Sequence, residues 1–418
     1  MFGKKKPEVL VVGAGPVGLL AGLLLAKHGV HVQIVDKQWR TGARSYALAL
    51  HAESLRLFRD IGLLDRMLQL GYPVHRVGLY EGLQRRAEVR LSGADDPLPG
   101  LLVMPQHVLE HTLEETLEQH GVNVQWNHAV SHFVPHSFQV DVTVDKLVKE
   151  SLGYAVAHTE WMIANTTDLR VPWVIGADGH RSQIRRSLEI DFRESGEAQH
   201  FAVFEFKTDM DLQHEARFVL ADQTTNAVWP LPGGYCRWSF ELPDFAAPLG
   251  PREKERSPVQ LGTAQFPTLT EEHLRLLLAE RAPWFQGTIG EIHWRMVVRF
   301  ERRLANTFGG QRVWLAGDAG HITGPVGMQS MNVGFREARD LVCILASILR
   351  EDGKAEQLQT YGQQRATEWR SLLGLEGGLR SGPDTDPWIQ QRANRLLACL
   401  PASGADLTAA VRQLGLQR

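Results

Sequence analysis

Three aspartates stand at the ends of apolar, strand-like runs, where a nucleotide can be held: Asp36, Asp178 and Asp318. The last has the most informative surroundings, GQRVWLAGDAGHITGPVGMQSMNVGFREARDL from Gly310 to Leu341. This reads as a buried strand (Val313 to Ala316), a Gly-Asp turn, a proline-broken loop and a helix opening near Ser330. Such a loop brings a carboxylate to a strand's carboxyl end and aims a helix N-terminus into the same space. Asp36 closes a second unit, VLVVGAGPVGLLAGLLLAKHGVHVQIVD. There an apolar strand (Val9 to Val12) runs into Gly13-Ala14-Gly15-Pro16-Val17-Gly18, then a helix and a second strand. In that arrangement the first glycine permits a tight turn, the second lets a diphosphate touch the backbone, and the third lets helix and strand pack closely. The helix N-terminus holds the diphosphate and the terminal acid accepts ribose hydroxyls.

The elements that must position these groups alternate between strand and helix. Mid-chain, WVIGADGHRSQIRRSL carries a strand (Val171 to Ile175) into Gly176-Ala177-Asp178-Gly179 and an arginine-bearing helix that Ser182 could cap. Asp-Gly favours a turn with positive φ; a plain strand-turn-helix with a basic surface satisfies the same residues. The uncharged run Val9 to Ala26, preceded by Lys4-Lys5-Lys6, superficially copies a signal peptide. Phased glycines and Pro16 are poor membrane-helix design, and a buried parallel strand with its packing helix explains the run. The expectation is a soluble, cytoplasmic protein.

Composition fits that expectation. The 418 residues, 43% of them hydrophobic, can support two or three packed units. A net charge of −3 gives no reason to expect nucleic acid or an acidic membrane as partner. Cys236, Cys343 and Cys399 are odd in number and widely spaced, which fits buried thiols of a reducing compartment. His107 and His111 share a helix face, but without a third ligand they read as a solvated surface, and no metal is expected.

Taken in order, these segments resemble the FAD-dependent aromatic hydroxylases, the single-component flavoprotein monooxygenases typified by p-hydroxybenzoate hydroxylase. The resemblance spans most of residues 8 to 375 and rests on GAGPVG with Asp36, on GADGHRSQIRRSL and on LAGDAGH with its following proline and asparagine. Arg44, in RSYALALHAESLRLFRDIGL, resembles the family arginine that reaches the FAD diphosphate. Gln106 resembles the glutamine that starts the next helix and touches the cofactor. The resemblance implies an α/β Rossmann-type FAD-binding domain with an inserted antiparallel β-sheet substrate domain and C-terminal helices. The expected units are 1–72, 101–191 and 284–350 for FAD, 73–100 and 192–283 for substrate, and a C-terminal helical segment, 351–418.

It also implies roles. Gly13, Ala14, Gly15, Pro16, Val17, Gly18, Asp36 and Lys37 would hold the ADP half of FAD, and Asp318 the ribityl chain. Pro325 would pack beside the flavin, and the amides of Met331 and Asn332 would face its N1–O2 edge, where reduced flavin is negative. Asp178 would serve FAD and a transient NADH or NADPH. The usual Pro-x-Gly-Gly-Gln-Gly motif has become Pro325-Val326-Gly327-Met328-Gln329-Ser330. Ser330 is then expected to cap the helix, and Met328 to narrow the space around the flavin. The implied reaction uses NAD(P)H and O2 to hydroxylate a phenolic or heteroaromatic small molecule through a flavin C4a-hydroperoxide, in a monomer or homodimer. A flavin-dependent halogenase and a non-hydroxylating FAD oxidoreductase share the cofactor motifs; the halogenase WxWxIP segment has no counterpart here. For the substrate pocket, His51 (placed in the helix after Arg44), Arg217, Trp229 and Tyr235 are the candidates, though a core tryptophan and a surface histidine are the ordinary readings of such residues.

Overall fold

Val9–Val12 is the centre of a six-stranded sheet, and its four apolar side chains are buried because parallel neighbours flank it, helices cover the face of Val9 and Val11, and an antiparallel sheet covers the face of Leu10 and Val12. The computed structural model describes residues 6–39, 49–91, 97–152, 158–221, 223–243 and 269–418. The sheet runs Gly309–Gly310, Val313–Leu315, Trp173–Gly176, Val9–Val12, Val32–Asp36, Val124–Trp126; all neighbours are parallel except the first pair. From its first strand the chain moves to one side, through Pro16–Lys27 into Val32–Asp36. It returns on the other side only at Trp173. Strand order therefore reverses between Val9–Val12 and Trp173–Gly176, and the crevice at their carboxyl ends is where such sheets bind ligands. The crossover before Trp173 contains a three-stranded antiparallel sheet (His128–Pro135, Val140–Leu152, His158–Val171) that the sequence reading did not separate from the rest of 101–191.

The second large sheet has seven strands, in the order Ile292–Phe300, Gln199–Lys207, Tyr235–Glu241, Thr225–Leu231, Glu215–Leu220, Arg76–Glu81, Gln84–Arg90. One pair, Glu215–Leu220 with Arg76–Glu81, is parallel, so the sheet is not wholly antiparallel. A Gly233-Gly234 turn, both residues at positive φ (76° and 77°), joins two of its paired strands. One assignment changes. Ile292–Phe300, read from sequence as part of the FAD unit's return, pairs with Gln199–Lys207 as the edge of this sheet. Its short alternating run carries no mark of which sheet it will join, and pairing decides. Alternation then sorts the side chains. Phe201, Val203, Phe218 and Trp229 pack into the core shared with the nucleotide unit. Phe204, Phe206, Trp238 and Phe240 form a separate core with Leu274 and Leu278 of the helix Glu271–Arg281.

After the long helix Gln329–Arg350 come Gln357–Leu372, Pro387–Cys399 and Gly404–Gln413, with Ser381-Gly382-Pro383-Asp384 between the first two of these three. Asp386 caps Pro387–Cys399 through the Trp388 amide (2.7 Å). That helix is tied to the second sheet: Arg392 donates to Glu81 (2.7 Å) and Arg395 to the Ala221 carbonyl (2.9 Å). Its last turn reaches the loop that follows the Gly-Asp turn.

Candidate active site

The three motif glycines divide into two that fold the chain and one that faces open space. Gly13 has φ +107°, and a Cβ there would lie 2.2 Å from the Ala177 carbonyl oxygen. A Cβ on Gly18 would lie 2.0 Å from the Gly13 carbonyl oxygen. A Cβ on Gly15 would meet nothing within 4 Å. Gly15 is also the N-cap of Pro16–Lys27, has no side chain to bond the first amides, and is followed by Pro16, which lacks one. The remaining first-turn N–H groups are left for a ligand. At the next strand end, Asp36 accepts from the Ala14 amide and the Gln38 amide (both 2.7 Å), which fixes its carboxylate beside the glycine loop. Lys37 is exposed.

Asp178 lies against Gly13 but spends its carboxylate on its own helix. It accepts from the Ser182 hydroxyl (2.5 Å) and the Gln183 and Ile184 amides (2.6 and 3.1 Å). Burial raises its pKa, against those hydrogen bonds. Ser182 caps the same helix through the Arg185 amide, as its position suggested. Gln106 opens the helix Gln106–Gln119 and donates to Glu110 (2.6 Å). Arg44 lies outside the described residues.

Gly317 takes φ +64° at the Gly-Asp turn, and Gly334 lets the helix Gln329–Arg350 approach Val17 and Gly317. A buried network fixes this turn from behind. Glu337, fully enclosed, accepts from the Gly317 amide (2.9 Å), His321 Nε2 (2.9 Å) and Trp369 Nε1 (2.8 Å), and His321 stacks on Trp369 at 3.7 Å. Burial opposes the Glu337 charge, but His321 and these donors outweigh it and hold the pKa below the ordinary range. Asp318 projects the other way, open to solvent at the floor of the groove. The surrounding protein nevertheless raises its pKa; His321 opposes the rise and Glu337 adds to it.

The following loop corrects the expected helix cap and the expected place of His51. The helix starts at Gln329, with Met328 as N-cap in the left-handed region (φ 50°, ψ 30°), so Ser330 does not cap it. The Ser330 hydroxyl accepts from the Thr323 amide instead (3.2 Å). Met328 packs on the core. Amides without a partner inside the helix are then those of Gln329, Ser330 and Met331, and Asn332 is the first to bond back. The Asn332 side chain is an anchor: it accepts from the His51 amide and Ser54 hydroxyl and donates to the Ala49 and Met328 carbonyls. His51 ends the strand Ala49–His51 and is buried, where a helix-surface histidine was expected. Its Nε2 donates to the Gly327 carbonyl (3.0 Å), and Nδ1 lies 3.3 Å from the Ser403 hydroxyl. Burial pushes its pKa down to about 3, against the Gly327 hydrogen bond. It is a neutral brace for the loop.

Beside Pro325 lies a cavity of about 190 Å³ between the edge of the second sheet and the last turn of Pro387–Cys399. The other sequence candidates do not line it. Arg217 is on the sheet face away from the groove, paired with Glu215 (2.7 Å) and 4.9 Å from the Trp284 ring centroid. Trp229 is core, tilted against Phe218 at 5.4 Å, and Tyr235 meets His293 edge-on at 6.1 Å. The lining includes Arg302, Arg395 and Cys399, which sequence reasoning missed. No motif marks them, since they arrive from separate segments. Burial pushes the Cys399 thiol up to about 12, so it is protonated.

The residues present fit FAD. The Gly15 side is open where a diphosphate must approach, the helix start behind it is uncapped, and Asp318 offers a polyol an acceptor. Comparison agrees with this geometry. Residues 6–373 match the family model described as FAD binding domain. The chain is 27% identical over 373 residues to the 6-methylpretetramide 4-monooxygenase of Streptomyces rimosus, covering 88% of this chain and 60% of that protein. It is 30% identical over 365 residues to the rifampicin monooxygenase of Streptomyces venezuelae, covering 86% and 68%. Among solved structures, p-nitrophenol 4-monooxygenase from Pseudomonas putida DLL-E4 superposes with a TM-score of 0.70 at 21% identity over 99% of both chains. The fold is thus that of this monooxygenase structure. The chain spans under two thirds of the length of the first relative named.

Proposed function

We propose, for a chain that belongs to the FAD binding domain family, an FAD-dependent monooxygenase activity that uses NADH or NADPH and O2 to hydroxylate a phenolic or heteroaromatic small molecule. The similarity to named monooxygenases supports this reading. The observation that carries it is the convergence of an uncapped helix start, a solvent-open aspartate and a cavity beside Pro325 at one end of the parallel sheet. Bound FAD would supply the electron transfer and the activation of oxygen. The chain's own part is positioning. Gly15 and the first turn of Pro16–Lys27 would hold the diphosphate, Asp36 the ribose and Asp318 the ribityl hydroxyls. The free amides of Gln329–Met331 would favour negative charge at the flavin edge.

Acid–base work by side chains is limited at the cavity. Its described walls hold no histidine or carboxylate, and Cys399 is protonated. His51 stays neutral behind the loop and reaches it only through the Gly327 carbonyl. A phenol would therefore be favoured as phenolate by the surrounding cationic groups, not by a resident base. No helix among the described residues is long and apolar enough to cross a membrane. We place the protein in the cytoplasm, as a monomer or homodimer. The test is anaerobic and aerobic NAD(P)H oxidation by the FAD-loaded protein with a phenol panel, followed by detection of 18O from 18O2 in the product. Substrate-stimulated oxidation without incorporation would point to a non-hydroxylating oxidoreductase. Protein that refuses FAD would remove the reading altogether.

A further inference from the structure

The amino ends of the parallel strands form a second groove, at the opposite end of the sheet from Asp178 and Asp318. Trp173 opens one strand there, and Arg312 stands just before the neighbouring strand Val313–Leu315. The walls are completed by residues 135–137, where His128–Pro135 turns into Val140–Leu152, and by Glu356 and Gln359 at the start of Gln357–Leu372. The groove has a volume of about 620 Å³, within the usual range for small-molecule sites.

Arginines enclosed in this protein are generally met by carboxylates: Arg237 by Glu205, Arg336 by Glu53 and Arg392 by Glu81. Arg312 is half-buried on the groove wall, and among the described residues no carboxylate lies within ion-pair distance of it. It is held at two other points. Its guanidinium lies 4.2 Å from the centroid of the Trp173 ring, and its Nε donates to the Ser137 carbonyl (3.0 Å). These contacts fix the plane of the fork and leave its Nη hydrogens without an acceptor among the described residues. Burial holds its pKa below the usual arginine range. Around it, Gln311, Glu356 and Gln359 are exposed on the groove wall. Gln311 is pinned in the left-handed region (φ 51°), where its carbonyl accepts from Trp314 Nε1 (3.3 Å). Such a conformation is unusual for a residue with a side chain, and outliers of this kind gather at binding sites.

We propose that this groove binds a hydroxyl-bearing small-molecule anion, a sugar phosphate or a hydroxy acid, whose oxyanion pairs with the Arg312 fork. A guanidinium fixed in plane presents paired donors to two oxygens of a phosphate or carboxylate. Gln311, Gln359 and Glu356 supply the amide and carboxylate groups that bind hydroxyls. The four residues Trp173–Gly176 put roughly 13 Å, at ~3.3 Å per residue, between this groove and the turn at Asp178. None of its residues is among those proposed to hold FAD, so the inference stands apart from the monooxygenase reading.

The experiment is titration calorimetry of FAD-loaded protein with glucose 6-phosphate, gluconate, glucose and inorganic phosphate. Closely related polyols thus carry a phosphate, a carboxylate or no charge. The expected result is that one of the two organic anions binds at least tenfold more tightly than glucose and inorganic phosphate, and which one it is identifies the oxyanion. Arg312→Met should bring that anion within twofold of glucose. Arg312→Lys should recover only part of the difference, since a point charge attracts without the fork. If Arg312→Met loses FAD as well, its sheet end has collapsed. Gln359→Trp, which fills the groove from an exposed helix position and leaves Arg312 in place, then carries the comparison and should lose the anion while keeping FAD. Neither organic anion preferred to glucose, or a preference that survives these substitutions, overturns the proposal. Inorganic phosphate bound as tightly as glucose 6-phosphate would mean an adventitious ion only and overturns it too. Protein that shows the preference but binds no FAD would remove the monooxygenase reading and leave this assignment standing.

Discussion

Adding one methyl group at Gly15 should separate cofactor binding from folding. The residue has φ −72° and ψ 179°, ordinary for an L-residue, and no atom lies within 4 Å of an added Cβ. Gly15→Ala should therefore leave the apoprotein at least as stable, by about 0.4–1 kcal/mol through the unfolded chain's lost freedom. FAD must bring its diphosphate into the space that methyl takes. Each charge-assisted hydrogen bond displaced costs roughly 1.5–3 kcal/mol, so one lost bond weakens FAD by about 10- to 100-fold. Gly15→Val should abolish binding. Gly18→Ala is the contrast: its Cβ would sit 2.0 Å from the Gly13 carbonyl oxygen, so backbone must move and the apoprotein itself should lose about 1–3 kcal/mol. Thermal melts of the apoproteins and flavin fluorescence titrations give both quantities. Unchanged FAD affinity in Gly15→Ala, or an apoprotein that melts early from Gly15→Ala and not from Gly18→Ala, would refute the assignment of the open side to the diphosphate.

Three further outcomes are expected. Asp318→Ala, which removes a solvent-open acceptor from the groove floor and leaves the turn's Glu337 support intact, should weaken FAD by roughly 1–3 kcal/mol with an unchanged circular dichroism spectrum at saturating FAD; an unaltered dissociation constant would make the turn purely structural. Met331→Pro deletes one free first-turn amide at a position where proline is tolerated, and should lower the flavin midpoint potential by an amount equivalent to about 0.3–1 kcal/mol, read by redox titration of fully loaded proteins; coincident potentials would remove the electrostatic role. His51 has a folded pKa near 3 against 6.5 ordinarily, so between those values the unfolded state binds a proton the native state refuses, and stability falls as pH drops through that window by up to about 1.4 kcal/mol per unit. Denaturant unfolding of His51→Gln should show a shallower loss from pH 6.5 to 5 than wild type, and parallel slopes would show that His51 protonates in place.

The nucleotide half of the site was legible because its requirements are local. A glycine forced to positive φ, a helix that begins without a cap and an acid at a strand end all leave marks within a few residues. Gly13, Gly15, Gly18, Asp36 and Asp318 could therefore be read in order. Asp178 was found as a position, but its carboxylate's partners, Ser182 and two amides, follow from how tightly the next helix folds back. Ser330 shows the limit of local reasoning: its type suits an N-cap, yet the cap falls two residues earlier, at Met328.

The sequence by itself determined the parallel sheet, the order of its nucleotide-binding turns and the family, since short-range spacing encodes each of them. Tertiary structure decided the rest. It placed Ile292–Phe300 in the second sheet, turned Arg217 to the far face, buried His51 as a brace and assembled a cavity from Gln199, Arg302, Pro325 and Cys399. Those residues are distant along the chain, and no periodicity or local propensity records which of them will meet. Only the packing of the last helices against the sheet edge and the Pro325 loop brings Arg302 to the wall of that cavity.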